Sequence, residues 1–512
     1  MTPLPSHPIL TCTEARALEE KLLAGEEARE WPAMQRAGRA LAAAVLRDFE
    51  EVGGFPADGR VLVLAGKGHN GGDALIAAQA ILEKFPAARA EVAFAFGERT
   101  LRPLAARAWR DLVHAARDRA NVVRAKGAYD LCLDGIFGFQ FRPPADARTA
   151  LLIATVNALP IRLRAAVDLP SAGLFRADFT YATGCVKRPL VDDYAATAGR
   201  VRYLDLGFFK DDAAGAADPG PGSASPATTR VLLPSILAPL AALRPPRSDK
   251  RTFGHVFLVG GSRNFPGAIL IATLAALRSG AGLVTAFVPE SLAPAFAARA
   301  PEAMWVGWPE TPAGSLALEG EHLLREKIDR ASALVLGPGL GREPEALALA
   351  RSIAASSPVP LVIDADALQP EIVGAGVAPR VLTPHAGEWT RIAGAELADA
   401  TVVLKGAVTR IESRAGLRPA QGRSQASPTY HSFFGGPVLA RGGSGDLLAG
   451  LVGGLLAQTP SEPLLAAARG VVWHGLAADH LARAHGQAAV SVTQLLDFLP
   501  AALRESGACP PS

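Results

Sequence analysis

Residues 60–84 read RVLVLAGKGHNGGDALIAAQAILEK, and this stretch decides the expected fold. Its opening predicts a buried strand, its end predicts a helix, and the residues from Gly66 to Asp73 form a glycine-rich turn between them. Such a turn directs backbone N–H groups and the positive end of the helix dipole at one point, where a nucleotide phosphate can bind. A plain tight turn is the alternative, but it would not need the polar side chains of Asn70 and Asp73.

Strand-like and helix-like patterns alternate on both sides of this stretch, which predicts α/β domains with parallel sheets. We expect strands at 60–65, 91–96, 129–134, 164–168, 178–183, 200–206, 255–260, 282–288, 333–336, 360–364, 380–383 and 401–404. We expect helices at 13–49, which Pro32 would break, and at 74–84, 103–119, 267–279, 291–300, 343–355 and 444–457.

The chain has 512 residues, which is too long for one ordinary hydrophobic core. Residues 213–229 read AAGAADPGPGSASPATT and show no apolar periodicity, which is typical of a linker. We therefore expect one doubly wound α/β domain at 1–212 and a second one at 230–505.

The net charge is only +3, from 52 Lys and Arg against 49 Asp and Glu, which argues against nucleic acid as a partner. Four cysteines lack CxxC spacing and fit a reducing cytosol without zinc or disulfides. The N-terminus lacks the pattern of a signal peptide, and the apolar run at 447–457 is too short to span a bilayer. We expect a soluble, cytoplasmic protein without a membrane partner.

Two further strand ends in the first half carry carboxylates. Asp134 ends the strand YDLCLD, and Asp168 ends the strand RAAVD and is followed shortly by Ser171. Either residue alone could be a helix cap, but carboxyl ends of parallel strands meet in the crevice where such folds bind ligands. Together with the glycine turn, the two strand ends favour a ligand site.

In the second half, residues 441–446 read RGGSGD and lead into a predicted helix. Glycine amides at a helix start suit the charge of a transferred phosphoryl group, and Asp446 can accept the proton of an attacking hydroxyl. A glycine-rich helix entry with Asp446 as a partner of the helix dipole is the alternative.

Four more predicted strand exits in this half have little side-chain bulk, as expected where a ligand approaches the backbone. They are Gly260-Gly261-Ser262 followed by Gly267 and Ala268, the segment 337–341, the segment 383–388, and the segment 404–409. Each is weak evidence alone, because turns often use glycine and a lone His385 is more often a turn residue than a catalyst. For Asp364 and Asp366 we favour capping of the next helix over a place near a metal.

The motifs GKGHNGGD, DGIFGF and VDLPS resemble the N-terminal NAD(P)H-hydrate epimerase domain over residues 8–210, a Rossmann-like three-layer sandwich. The resemblance implies a potassium ion held by Asn70, Asp134 and Ser171, and Asp168 as the acid/base residue. It implies contacts with the hydrated nicotinamide nucleotide from His69, Asn70, Gly71, Gly72, Asp73, Gly138, Phe139, Gln140, Phe141, Arg142 and Asp168.

Residues 250–495 resemble the NAD(P)H-hydrate dehydratase branch of the ribokinase-like family through GGS, GPGLG, DADAL, TPHAGE, LKG and GGSGD. The resemblance implies dehydration of the S epimer driven by ADP or ATP with magnesium, and Asp446 as the base; we expect ADP. It implies that Ala268, Gly339, Gly341, His385 and Asp446 face the hydrate. The residues implied for the adenine nucleotide are Lys405, Gly406, Ala407, Val408, Thr409, Gly443, Ser444 and Gly445.

The chain departs from these families in three places. His69 replaces a usual asparagine, the loop after Asp168 is shortened, and the segment between Glu388 and Lys405 is shorter than usual. Relatives assemble into oligomers, so a homo-oligomer is possible. The alternative function is a ribokinase-like kinase for a small molecule, with a non-catalytic N-terminal ligand-binding domain.

Overall fold

The computed structural model describes residues 4–23, 25–194, 196–209, 229–397, 399–414 and 427–507, which divide into two compact units. The N-terminal unit holds the described residues between 7 and 223 and residues 482–486; the C-terminal unit holds those between 224 and 481, with 4–6 and 487–507. The expected linker at 213–229 lies outside the described residues, as does Cys509, but Thr229 opens a strand.

Elements of the N-terminal unit alternate along the chain much as the sequence predicts. Its strands are β1 (Ser6–Leu10), β2 (Arg60–Ala65), β3 (Arg89–Phe94), β4 (Ala120–Val122), β5 (Tyr129–Gly135), β6 (Ile161–Val167), β7 (Phe179–Thr183), β8 (Val186–Lys187) and β9 (Arg200–Leu204). Its helices are α1 (Cys12–Leu23), α2 (Glu27–Phe49), α3 (His69–Lys84), α4 (Pro103–Ala116) and α5 (Ala147–Asn157).

The main sheet of this unit is parallel, in the order β4-β3-β2-β5-β6-β7-β9. Alternate residues of β2 point to opposite faces. Val61 and Val63 join a buried cluster with residues of α2, α3 and α4, whereas Leu62 and Leu64 join one that includes Ile153 of α5. The unit is therefore the expected Rossmann-like three-layer sandwich, and its strand order reverses between β2 and β5.

Elements of the C-terminal unit follow the same alternation and end in a long helical segment. Its strands are β10 (Thr229–Leu232), β11 (His255–Val259), β12 (Leu283–Pro289), β13 (Met304–Trp308), β14 (Ala333–Leu336), β15 (Leu361–Ile363), β16 (Arg380–Leu382), β17 (Ala400–Leu404), β18 (Thr409–Ser413) and β19 (Thr429–Ser432). The helices are α6 (Ala238–Ala241), α7 (Pro266–Arg278), α8 (Ala293–Arg299), α9 (Glu321–Arg325), α10 (Pro344–Ser356), α11 (Pro370–Val373), α12 (Ala386–Ile392), α13 (Ser444–Gln458), α14 (Pro463–His485) and α15 (Leu495–Gly507).

The sheet of the C-terminal unit has the order β13-β12-β11-β14-β15-β16-β17-β18-β19-β10. Strands β13 to β17 are parallel, β18 is antiparallel to both of its neighbours, and β10 pairs in parallel with β19. This is the expected ribokinase-like arrangement. Its strand order reverses between β11 and β14, so a ligand crevice is expected at their carboxyl ends.

Helix α13 contains the apolar run 447–457 and packs tightly in this unit. A Cβ at Gly450 would overlap the carbonyl oxygen of Ala272 in α7, and a Cβ at Gly453 would overlap Val335 of β14. The run is therefore a buried core helix whose glycines allow close contact. Among the described helices, none combines the length and the apolar character needed to cross a membrane.

Every predicted strand and helix overlaps an observed one, but two boundaries are wrong. Pro32 lies inside the first turns of α2, and the opening helical segment is instead interrupted near Gly25, which has φ +68°. Helix α3 begins at His69 and not at residue 74, because the glycine-rich motif itself forms the first helical turn. The short strands β1, β4, β8, β10, β13, β18 and β19 were not expected from the sequence.

Candidate active sites

The exit of β2 lies where the strand order of the N-terminal sheet reverses. Gly66 donates from its N–H to the carbonyl of Gly135 at 3.1 Å, and a Cβ at position 66 would overlap the carbonyl oxygen of Ile136. Glycine is thus required by the close approach of two strand exits. Helix α3 starts directly afterwards, and its N-cap, Gly68, provides no side-chain acceptor. The first N–H groups of the helix remain available for an anionic ligand.

A cavity of about 430 Å³ opens beside this helix start. Most of the residues predicted to contact the hydrate line it: His69, Asn70, Gly71, Asp73, Gly138, Phe139, Gln140, Phe141, Arg142 and Asp168. Gly72 is the exception, because its vacant side-chain position faces the sulfur of Met34 at 2.7 Å. The structure therefore brings three separate sequence motifs to one cavity.

Asp134 and Ser171 are hydrogen-bonded to each other, and Asn70 binds the backbone of the segments that precede Gly138 and Asp168. The Ser171 hydroxyl donates to one Asp134 carboxylate oxygen at 2.6 Å, and the Ser171 N–H donates to the other at 2.8 Å. The Asn70 amide donates to the carbonyl of Val167 at 2.9 Å. Asp134 is fully buried and forms no ion pair with any described Lys, Arg or His, and burial raises its pKa to about 6. A buried carboxylate without a cationic partner among oxygen ligands fits a bound cation.

Asp168 follows β6 and lines the cavity, where it pairs with a lysine that sequence reasoning missed. The ammonium of Lys187 donates to Oδ1 of Asp168 and, at 3.0 Å, to the carbonyl of Thr183. Both side chains are almost fully buried. Burial opposes the charge of Lys187, but the carboxylate of Asp168 outweighs it and raises the lysine pKa.

Other charged residues of the cavity also escaped the sequence analysis. Glu19 of α1 lines it, and burial raises the pKa of its carboxyl to about 7. Burial, together with Asp168, raises the pKa of Asp73 well above its usual range. Lys67 and Arg102 line the cavity too, and neither forms an ion pair with a described residue. No pattern in the sequence near Glu19 or Lys187 marks them, since tertiary folding alone brings them to the site.

In the C-terminal unit, neighbouring strand exits converge on Asp364 at the end of β15. Its carboxylate accepts a hydrogen bond from the Thr383 hydroxyl at 2.7 Å and one from the Lys405 ammonium at 3.0 Å. Asp364 makes no capping hydrogen bond with its side chain, so the expected capping role is wrong. Asp366, which follows β15, accepts hydrogen bonds from the N–H of Gly341 at 3.1 Å and from the side chain of Arg342 at 3.0 Å. It therefore links the exit of β15 to the exit of β14.

The glycine motif 441–446 starts helix α13, as predicted. Gly443 is the N-cap with φ +92°, a left-handed conformation that favours glycine, and it offers no side-chain acceptor. A Cβ at Gly445 would lie 3.0 Å from the Lys405 ammonium, so the helix start and the β17 exit are in contact. Burial and the nearby Asp364 carboxylate raise the pKa of Asp446 to about 6. The N–H groups at the start of α13, the Lys405 ammonium and the Asp446 carboxylate, whose pKa is raised, therefore lie together.

The remaining predicted residues of this unit lie around the same strand exits. Gly339 is enclosed, because a Cβ there would overlap the carbonyl oxygen of Phe265 and lie 3.1 Å from Ala268. His385 is the N-cap of α12 and accepts from the N–H of Gly387 at 3.0 Å. Gly406, Ala407 and Val408 form the turn that joins β17 to β18, which begins at Thr409. Within the described ranges, no three His, Cys, Asp or Glu side chains converge as a metal site.

Taken together, these features define a two-domain α/β enzyme with one Rossmann-like and one ribokinase-like unit, each with a glycine-framed helix start beside a carboxylate. Residues 32–188 match the family described as YjeF-related protein N-terminus, and residues 256–501 match the family described as NAD(P)H-hydrate dehydratase. The chain is 38% identical to the bifunctional NAD(P)H-hydrate repair enzyme Nnr of Gloeobacter violaceus, over 91% of this chain and 92% of that protein. The chain belongs to the family of bifunctional NAD(P)H-hydrate repair enzymes, which combine epimerase and dehydratase activities.

A second curated relative agrees with this assignment, and two solved structures are similar to the C-terminal half. The repair enzyme Nnr of Moorella thermoacetica is 32% identical over 92% of both chains. Among solved structures, a ribokinase-like protein of Enterococcus faecalis is 30% identical, with a TM-score of 0.45, over 56% of this chain and 98% of its own. The ADP/ATP-dependent NAD(P)H-hydrate dehydratase of Bacillus subtilis, co-crystallised with ATP/Mg2+, is 27% identical, with a TM-score of 0.42, over 52% and 94%. Nothing found supports the alternative of a small-molecule kinase.

Proposed function

We propose that the cavity of the N-terminal unit binds the hydrated nicotinamide dinucleotide and that Asp168 moves the proton needed to interconvert its two epimers. The observation that carries this proposal is the convergence of the segments 69–73 and 138–142 with Asp168 on one cavity. Loss and return of a hydroxyl group on the nicotinamide ring need a proton carrier at that point. The exposed cations Lys67, Arg102 and Arg142 on the cavity wall suit the phosphates of the ligand.

The test of this proposal uses a single purified epimer. The protein is incubated with the R hydrate without a nucleotide, and the S hydrate is measured by chromatography. We expect S hydrate to form faster than in buffer alone, and Asp168→Asn to remove the enzymatic part of the rate. If this variant converts the R hydrate at the wild-type rate, the N-terminal unit only binds its ligand.

We also propose a potassium ion at Asn70, Asp134 and Ser171. Support comes from the oxygen-only ligand set and from the buried Asp134 carboxylate, which lacks a cationic partner in the described part of the chain. A bound cation would supply that charge and order the loop that carries Ser171. In this role the ion is structural, and proton transfer remains with the side chains of the cavity.

For the C-terminal unit we propose ADP-driven dehydration of the S hydrate with Asp446 as the base. Asp446 would take the proton of the substrate hydroxyl while the oxygen of that hydroxyl accepts a phosphoryl group from ADP. Phosphate would then leave with the bonding electrons of the C–O bond, and loss of a ring proton would restore the dihydropyridine, leaving AMP. The amides from Gly443 to Gly445 and the Lys405 ammonium lie where they can stabilise the transferring group.

Magnesium fits this site as an ion bound mainly through the nucleotide. Asp364 and Asp366 already accept hydrogen bonds from protein groups, and Mg²⁺ commonly keeps several waters and binds substrate phosphates. When bound, it would neutralise charge on those phosphates. The residues implied for the adenine nucleotide, including Gly406 to Thr409, stay predictions that nucleotide soaking of crystals can check.

The dehydratase proposal is tested by incubating the protein with hydrated NADH and ADP. Release of phosphate together with recovery of the absorbance of the reduced cofactor supports repair. A stable phosphorylated product would support the alternative kinase instead.

We also propose that the protein lies in the reducing cytoplasm. The support for this location is that the described cysteines, Cys12, Cys132 and Cys185, are free thiols.

A further inference from the structure

Lys187 lies in β8 behind the cavity of the N-terminal unit, and its burial is unusual for a lysine. Only 1% of its side chain is exposed. Such a charge is costly to bury unless it is paired and hydrogen-bonded. Its ammonium meets this requirement through Asp168 and the carbonyl of Thr183, and it lies 5.2 Å from the ring centre of Phe139, which lines the cavity.

The two carboxylate oxygens of Asp168 have different surroundings. Oδ1 accepts the hydrogen bond from Lys187, whereas Oδ2 is buried and has no hydrogen-bond partner among the described residues. Asp168 itself lines the cavity. A buried acceptor that no protein group satisfies is costly unless a ligand supplies the donor. Oδ2 is therefore the oxygen that remains for a hydroxyl or a water of the substrate.

The backbone of Asp168 is also held in an uncommon conformation. Its φ is +67°, in the left-handed region that residues other than glycine rarely adopt. Its N–H donates to the carbonyl of Tyr181 at 2.9 Å, which ties the residue to the neighbouring strand β7. Strain of this kind persists where the surrounding structure fixes a functional side chain. Backbone and lysine together leave the carboxylate little freedom to turn.

We infer that Lys187 is a positioning residue for epimerisation: it binds Oδ1 of Asp168, holds the carboxylate in one orientation, and directs Oδ2 to the substrate. The inference rests on the proposed role of Asp168 as the acid/base residue. Lys187 does not line the cavity and acts through Asp168, so its loss changes the rate of the proton transfer more than the binding of the dinucleotide. The other titratable groups that interact with the pair are Glu19, Asp73, Cys12 and Cys185.

The test is Lys187→Met in the full-length protein, with Lys84→Met as the matched control. Lys84 lies in the last turn of α3 and is exposed. Conversion of the R hydrate is followed over a range of substrate concentrations at neutral pH. We expect kcat of Lys187→Met to fall about tenfold or more with KM within about threefold, since a carboxylate that is free to turn no longer presents Oδ2 to the substrate.

The split between kcat and KM separates positioning from a purely structural role. Without the ammonium, Oδ1 loses its hydrogen-bond donor and the carboxylate can turn away from the substrate, so kcat falls while KM stays close to the wild-type value. A loss that appears in KM with unchanged kcat, or wild-type kinetics, would overturn the inference. If Lys187→Met does not fold, the double variant Lys187→Met with Asp168→Asn removes both charges. Restored folding without epimerisation supports the pairing of Lys187 with Asp168. Continued misfolding contradicts that pairing.

The dehydratase reaction of the same chain is the internal control for folding and concentration. If the wild-type protein dehydrates the S hydrate but never converts the R hydrate, the proposed function of the cavity fails, not the geometry of the pair. If the wild type epimerises and Lys187→Met matches it in both kcat and KM, only the present inference fails.

Discussion

At the residue scale, Asp446 shows how burial prepares a carboxylate for proton transfer. The side chain lies beside Asp364 and Lys405, and burial together with the like charge of Asp364 raises its pKa to about 6. A base is effective when its pKa lies just below the working pH, because it is then ionised and still basic. The site thus uses an acidic neighbour to make Asp446 more basic, and Lys405 prevents a larger rise.

We expect dehydration to lose activity in acid because only ionised Asp446 can accept a proton. Since its pKa is raised to about 6, kcat falls about tenfold for each pH unit below that value and is level above it. The measurement is the initial rate of phosphate release from the S hydrate at saturating ADP. Asp446→Asn is the control; its small residual rate shows no such acid limb. A wild-type acid limb that survives in this variant would assign the titration to another group.

Asp134 leads to a second prediction at this scale, on cation binding. We expect K⁺ to raise the melting temperature of the N-terminal unit relative to Na⁺ at equal ionic strength, because the ion binds only the folded form of the proposed site. A ligand at about 100 times its Kd stabilises the folded state by about 2.7 kcal/mol. Calorimetry of Asp134→Asn should show no K⁺ effect.

The matched control for this experiment is Asp130→Asn, on the same strand β5. Asp130 pairs with Arg162 at 3.2 Å and takes no part in the proposed ion site. It should keep the full K⁺ effect. Equal responses of both variants would place the ion elsewhere.

At the scale of elements, the packing of α13 explains why its sequence contains so many glycines. Gly450 contacts the backbone of α7, and Gly453 contacts the side chain of Val335 in β14. The close approach holds the N-terminal end of α13, with Asp446 and the N–H groups of Gly443 to Gly445, at the strand exits. The packing of a core helix therefore determines the position of the groups proposed to be catalytic.

We expect Gly450→Ala to destabilise the C-terminal unit, because its methyl group would overlap the carbonyl oxygen of Ala272 and the two helices would have to separate. Overpacking of a core costs about 1–3 kcal/mol, and the displaced helix start should also lower dehydratase kcat. Gly442→Ala is the control, because its side-chain position faces open space. Chemical denaturation followed by circular dichroism measures both; equal stabilities would mean that the helices can adjust.

Elements that bury apolar residues at a regular period could be predicted from the sequence. The strands of both parallel cores are of this kind, as RVLVLA at 60–65 shows, whereas the start of α13 was predicted from its glycine motif at 441–446. The start of α3 was misplaced because the glycines of 66–72 suggest a loop. Close contact of Gly66 with the β5 exit, and of Gly71 with Gly66, instead lets the motif form the first helical turn. The short strand β8 has only two residues and gives no periodic signal.

The candidate sites were predictable where a motif is local and not where distant residues meet. The segments 69–73 and 138–142 could be named because each is contiguous. Lys187 and Glu19 could not, since nothing next to them in sequence indicates that β8 and α1 contribute to the cavity. Asp364 was misjudged as a cap for the same reason: its partners, Thr383 and Lys405, come from two later strands.

At the scale of the whole molecule, one chain carries two sheets that use the same principle for different chemistry. In the N-terminal unit, a glycine-framed helix start meets carboxylates where the strand order reverses between β2 and β5. In the C-terminal unit, a glycine-framed helix start meets Asp364 and Lys405 at the exits of β15 and β17. The N-terminal unit adds a buried lysine beside an open cavity, which suits the proposed proton transfer, whereas the C-terminal unit adds helix N–H groups, which suit the proposed phosphoryl transfer. Hydration of the nicotinamide ring gives both epimers, so a chain that consumes one epimer benefits from converting the other.

The proposed separation of the two activities predicts different outcomes for two full-length variants. Each variant is incubated with a mixture of both epimers and with ADP. The wild type should recover all of the reduced cofactor in one fast phase. Asp168→Asn should recover only the share present as the S hydrate and then continue at the rate of uncatalysed epimerisation. Asp446→Asn should recover the reduced cofactor only at its small residual rate and yet still equilibrate a pure epimer. Adding the two variants together should restore the wild-type time course, because the intermediate hydrate diffuses freely; failure of the mixture to do so would show that the hydrate must pass directly within one chain.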